Sequence, residues 1–73
     1  MNRRKLKGEI VAVLGSQNAF ADAVGWHKNK VSKMMTGKYK PDTDEVAAIV
    51  EALNLSNDKF TEIFSPAKSP NGD

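Results

Sequence analysis

Lys28, Asn29, Ser32 and Lys33 fall on one side of a short segment whose other side carries Val31, Met34 and Met35. Two ammonium groups, a carboxamide and a hydroxyl on one exposed face form a donor-rich surface suited to an anionic, hydrogen-bonding partner. No other constellation in the chain competes with it. His27 is the only histidine and there is no cysteine, so a metal-ligating cluster, a disulfide and a thiol nucleophile are all excluded. No glycine-rich phosphate loop occurs; the glycines at 8, 15, 25, 37 and 72 are spaced as helix punctuation. Asp42, Asp44 and Glu45 are close enough to suggest paired carboxylates, but acidic residues at a helix start serve capping and the macrodipole far more often. No nucleophile–base pair can be assembled, so the chain is expected not to be an enzyme. It is also expected to hold no metal, cofactor or small-molecule ligand.

Charge points to the same kind of partner. Residues 1–40 carry nine Lys and Arg against Glu9 and Asp22, a net +7, while residues 41–73 carry Lys59 and Lys68 against seven acids, a net −5. Mixed charge is ordinary in a small soluble domain, but this asymmetry favours a nucleic-acid partner for the basic half. Seventy-three residues make a single domain with little core to spare. The longest apolar run, Ile10 to Leu14, is too short to cross a bilayer, and no signal-peptide pattern follows the N-terminal charges. A soluble intracellular protein, without a membrane partner, is the expectation.

The elements that must position these side chains are all helical. A stripe of Leu6, Ile10, Val13 and Leu14 predicts helix 1 over 3–14, with Asn2 as its cap. Its first turn carries Arg3, Arg4, Lys5 and Lys7, which suit either a solvated helix end or an arm on DNA phosphates or in the minor groove. Ser16 caps helix 2 over 17–24, whose inner face is Phe20, Ala21 and Val24. Gly25 supplies the turn. Helix 3 runs over 28–36 with His27 as cap, and Trp26 and Val31 have the spacing of a hydrophobic staple. Gly37 stops it, and Lys38-Tyr39-Lys40-Pro41 forms a basic loop. Asp42 and Glu45 have capping-box spacing ahead of helix 4, which carries the stripe Val46, Ile49, Val50 and Leu53 up to Asn54. Ser56 caps helix 5 at about 57–64, with Phe60, Ile63 and Phe64 as its apolar face. Residues 1–64 thus form the domain, and 65–73 (SPAKSPNGD) a disordered tail. Helices 2 and 3 have the layout of a helix-turn-helix, in which the second helix enters the DNA major groove.

The run SQNAFADAVGWHKNKVSKMMTGKYKPDTDEVAAIVEALNL resembles the Cro/CI-type helix-turn-helix domain of phage repressors and related regulators. The matching positions are Gln17, Ala21, Gly25, Val31, Ser32, Lys33, Gly37, Pro41 and the run of helix 4, over about residues 5–64. The full chain also resembles the small modulator-of-repression proteins of lactococcal temperate phages, which partner a CI-type repressor. The resemblance implies an all-α, compact five-helix domain of the lambda-repressor-like kind, with the helix-turn-helix at helices 2 and 3. It implies that Lys28, Asn29, Ser32 and Lys33 read bases, and their chemistry agrees: Lys donates to guanine O6 and N7, Asn pairs with adenine, Ser with either. Ser16, Gln17, Lys30, Lys38, Lys40, Arg3 and Arg4 would contact the DNA backbone, positioning rather than specifying. Weak homodimerisation on a palindromic operator is implied as well. Where the family commonly has smaller or more polar residues, this chain has Trp26, His27 and Met35. Trp26 either fills a core gap or joins a protein-binding face with Tyr39, Asp42, Asp44 and Glu45.

Two functions follow: a phage-type transcriptional regulator acting on operator DNA in a lysis–lysogeny switch, or an anti-repressor that binds the repressor protein itself.

Overall fold

A computed structural model describes residues 1–64, and the tail expected over 65–73 lies outside the described residues. Five helices follow one another: α1 (Arg3–Leu14), α2 (Gln17–Val24), α3 (Lys28–Met35), α4 (Thr43–Leu53) and α5 (Asn57–Phe64). The all-α, five-helix architecture expected from the apolar stripes is the one observed, and no strand occurs among the described residues.

The helix starts are set by side chains that satisfy otherwise unpaired backbone N–H groups. Asn2 accepts from the Lys5 amide, Ser16 from Ala19 and Ser56 from Lys59. Asp42 and Glu45 form a complete capping box: Asp42 accepts from the Glu45 amide at 2.9 Å and Glu45 from the Asp42 amide at 3.0 Å. Helix ends follow the same logic. After α2, the Trp26 amide donates to Ala21 O and the Gly25 amide to Asp22 O, with Gly25 at φ 74°. After α3, Lys38 donates to Lys33 O and Gly37 to Met34 O, with Gly37 at φ 86°. Both pairs are the six-residue Schellman closure, which needs a left-handed residue at its turn and so favours glycine.

Each helix contributes to one core: Leu6 and Ile10 from α1, Phe20 and Ala21 from α2, Val31 and Met34 from α3, Ile49 and Leu53 from α4, Ile63 from α5. At about 1.5–3 kcal/mol for each large side chain buried, this set is the main source of cohesion. The central helix is α2, which packs on α1, α3 and α4, while α5 packs on α1. The Asn2 amide donates to Ile63 O at 2.7 Å, latching the chain's start to the last helix.

Three expectations are corrected. Val13 is 47 % exposed, because the last turn of α1 presents Leu14, not Val13, to the core. Phe60 is 38 % exposed: α5 covers the domain from one side only, so Ile63 and Phe64 reach inward while Phe60 lies against the Phe64 ring at 5.3 Å. Helix 3 ends at Met35 rather than residue 36: Thr36 is the C-cap of the Schellman closure whose left-handed residue is Gly37, and its hydroxyl donates back to Ser32 O and Lys33 O.

Candidate nucleic-acid interface

The buried Val31 and Met34 fix the rotation of α3, and Lys28, Asn29, Ser32 and Lys33 are consequently all exposed on its outer side. His27 caps the helix through Nδ1, which accepts from the Asn29 amide at 3.2 Å. That bond satisfies the Asn29 backbone and leaves its carboxamide available. Met35 is half-buried against the core edge.

Beside this face lies a concavity of about 490 Å³, lined by Arg3, Arg4 and Lys7 from α1, Gln17 from α2, and Ser32, Met35 and Thr36 from α3. Three cations from the first turns of α1 thus stand next to the start of α2 and the outer face of α3. Arg3 reaches further still: its guanidinium covers Gly37 so closely that a Cβ there would collide with it. Arg3 also lines the neighbouring hollow with Thr36, Gly37 and Lys40. Lys38 and Lys40 are exposed in the loop after α3. Thr36 was not among the residues expected at the site, and Lys7 was expected only as one of the four cations of an α1 arm. Their signal lay in helical spacing, since Lys7 follows Arg3 by four residues and Thr36 follows Ser32 by four.

Two of the expected backbone ligands have partners within the chain. Ser16 accepts from the Ala19 amide at 3.1 Å, which leaves its own O–H to donate. Lys30 does not point into the concavity; its ammonium forms an ion pair with Glu45 Oε2 and sits 4.5 Å from the Trp26 ring centre and 5.4 Å from that of Tyr39. Glu45 Oε1 takes the Tyr39 hydroxyl and the Asp42 amide. One carboxylate therefore joins α3, the basic loop and the start of α4. The Lys30 ammonium, the Tyr39 hydroxyl and the Asp42 amide together hold the Glu45 carboxyl down at about 2. The same contacts raise Lys30 and Tyr39 above their ordinary values, because Glu45 favours the protonated form of each.

The five residues expected as a protein-binding face are divided by this arrangement. Trp26 is half-buried and meets Phe20 edge-on, with centroids 6.0 Å apart, so it extends the core as well as carrying Lys30. Tyr39 and Glu45 are half-buried and satisfied by each other, whereas Asp42 and Asp44 stay exposed. Among the described residues no group of three or more side chains is placed to hold a metal ion.

A family model described as "Helix-turn-helix domain" matches residues 16–62, from the cap of α2 into α5. The chain belongs to the helix-turn-helix domain family. No curated protein matches the chain. In this helix-turn-helix domain α2 and α3 are the paired helices, joined through Gly25, and α3 has the position of the second helix, which in DNA-binding helix-turn-helix domains enters the major groove. The match begins at Ser16, so Arg3, Arg4 and Lys7 are additions from α1 to a face otherwise built from the matched region. No helix among the described residues is long and apolar enough to cross a membrane.

Proposed function

We propose that this helix-turn-helix protein is a phage-type transcriptional regulator that acts on operator DNA, together with a CI-type repressor, in a lysis–lysogeny switch. The observation that carries the DNA-binding part is the convergence of Arg3, Arg4, Lys7 and Gln17 on the concavity beside Ser32, next to the exposed Lys28, Asn29 and Lys33. On this reading Lys28, Asn29, Ser32 and Lys33 read base edges. The α1 cations, Gln17, Lys38 and Lys40 grip phosphates and set the register. Binding is then weak for one domain, strengthened by pairing on a palindrome, and steeply dependent on salt. The resemblance to phage regulators supplies the switch and the repressor, with the bacterial cytoplasm as the place of action.

The test is a gel-shift titration of operator DNA with this protein alone, the repressor alone and both. Lys33→Ala and Asn29→Ala should each weaken or relax operator recognition. Wild-type binding by both variants removes the assigned reading face.

A second reading, an anti-repressor acting mainly on the repressor protein, draws on the exposed Asp42 and Asp44 at the start of α4. A repressor's own DNA-binding face is basic, and opposite charge accelerates and selects such encounters. Co-purification with the repressor, with and without charge reversal at Asp42 and Asp44, decides it: unchanged capture removes the acidic docking surface.

A further inference from the structure

Lys30 is on the recognition helix, yet its charge is directed away from the other cations of that helix and onto α4. We infer that Glu45 is a positioning residue for the DNA-binding face, withholding Lys30 from phosphate and tying the basic loop to α3 through one carboxylate. The inference rests on the DNA-binding reading above and adds a control on it.

The geometry supports this from three sides. Glu45 is fixed before it meets Lys30, because its carboxylate already accepts the Asp42 amide of the capping box and the Tyr39 hydroxyl. Lys30 is fixed by more than its charge, since its ammonium lies between Trp26 and Tyr39 and the aromatic faces stabilise a cation there. The pair is partly covered, the Lys30 side chain retaining 33 % exposure and that of Glu45 15 %. Salt therefore screens it less than a fully exposed pair. Lys30 stands one turn before Lys33, so a lysine released at this position would add a cation at the edge of the reading face. Such a cation contacts phosphate on any sequence and raises non-specific affinity. Tyr39, held by the same carboxylate, lies between Lys38 and Lys40 and fixes the loop that carries them.

The experiment is an anisotropy titration of a labelled mixed-sequence duplex across a salt series, using wild type, Glu45→Gln, Lys30→Gln and the double variant. Glutamine at 45 keeps one oxygen for the capping box and Tyr39, while it removes the charge and turns the acceptor facing Lys30 into an N–H donor. Glu45→Gln should steepen the slope of log K against log salt by about 0.9, one phosphate's worth, equivalent to an extra loss of about 3.5-fold between roughly 50 and 200 mM salt. Lys30→Gln should keep the wild-type slope, and so should the double variant. A Glu45→Gln slope equal to wild type overturns the inference. So does a Lys30→Gln slope flatter by about 0.9, which would put Lys30 already on DNA. A double variant as steep as Glu45→Gln also overturns it, because the gain would then come from deleting a negative charge rather than from Lys30. Circular dichroism melts check folding; where Glu45→Gln is unfolded at the assay temperature, the Lys30→Gln slope alone decides. Absence of binding by wild type at low salt overturns the DNA-binding reading and this inference together, whereas salt-dependent wild-type binding with any of the three adverse slopes overturns this inference alone.

Discussion

The salt dependence of DNA binding can be bounded from where the cations sit. Among the described residues, Lys5, Lys30 and Lys59 face Glu62, Glu45 and Glu9, respectively. Lys5 and Lys59 moreover line a separate hollow between α1 and α5, with Glu9 and Glu62. The cations left for DNA are Arg3, Arg4 and Lys7 on α1, Lys28 and Lys33 on α3, and Lys38 and Lys40 in the loop. With Lys28 and Lys33 on base edges, the other five at about 0.9 phosphate each put the slope near −4.5 per protomer, a loss on the order of 10²- to 10³-fold between roughly 50 and 200 mM salt. Arg4→Gln and Lys7→Gln should each flatten that slope by about 0.9, whereas Lys59→Gln and Lys5→Gln should leave it alone. Position, rather than ion pairing, separates the two classes, since the Lys5 and Lys59 side chains are about half exposed and pairs of that kind are individually weak. Anisotropy titrations on one duplex across the salt series measure all of these. A Lys59→Gln variant that flattens the slope as much as Arg4→Gln would refute the placement of the interface, because the α1–α5 hollow would then be touching DNA.

Other consequences concern the scaffold. Glu45 titrates lower in the folded protein than its ordinary 4.5, so its contribution to stability is complete above about pH 4.5 and lost as pH falls toward 2. Thermal melts of wild type and Glu45→Gln should therefore differ at neutral pH and converge near pH 2; a constant difference across that range refutes the pairing. Gly25→Ala should cost about 1 kcal/mol from left-handed strain alone, since a Cβ there meets no atom within 4 Å. That corresponds to roughly 4–8 °C in melting temperature for a domain of this size. Phe20→Ala removes a fully buried ring that also supports Trp26, and should cost about 3–5 kcal/mol, read as a denaturant midpoint shift. Asp42→Ala breaks the capping box and should cost about 0.5–2 kcal/mol in the same assay.

Local signals in the sequence were reliable where one residue type has one physical use. Asn2, Ser16, His27, Asp42 and Ser56 all cap the helices they precede, and Gly25, Gly37 and Asn54 adopt the positive φ that their positions demand. Apolar stripes located the core but overstated it at Val13 and Phe60, because periodicity shows which face is apolar and not how far a neighbouring helix extends across it. The outward set on α3 was legible for the same reason that its inward set was. What could not be read was the fate of Lys30: the resemblance placed it among the DNA-backbone contacts, and only the return of the chain through Tyr39 to Glu45 brings a carboxylate to it. Arg3 and Arg4 were ambiguous between solvent and DNA, since nothing in α1 itself says that Gln17 and Ser32 stand beside them.

The charge asymmetry of the sequence acquires a different meaning in three dimensions. A basic first part and an acidic second part suggest two surfaces of opposite sign, yet all three ion pairs among the described residues cross between those parts. Two of them tie α1 to α5 and the third ties α3 to α4; Glu62 of α5 and Glu45 of α4 neutralise Lys5 and Lys30 of the basic part, while in the remaining pair Glu9 of α1 meets Lys59 of α5. The basic residues outside these pairs gather on the concavity, the outer side of α3 and the following loop. Sorting by carboxylate position therefore narrows a diffuse basic half to one face, the face proposed above to meet DNA. Glu45 defines one border of that face, and moving its charge should move the border.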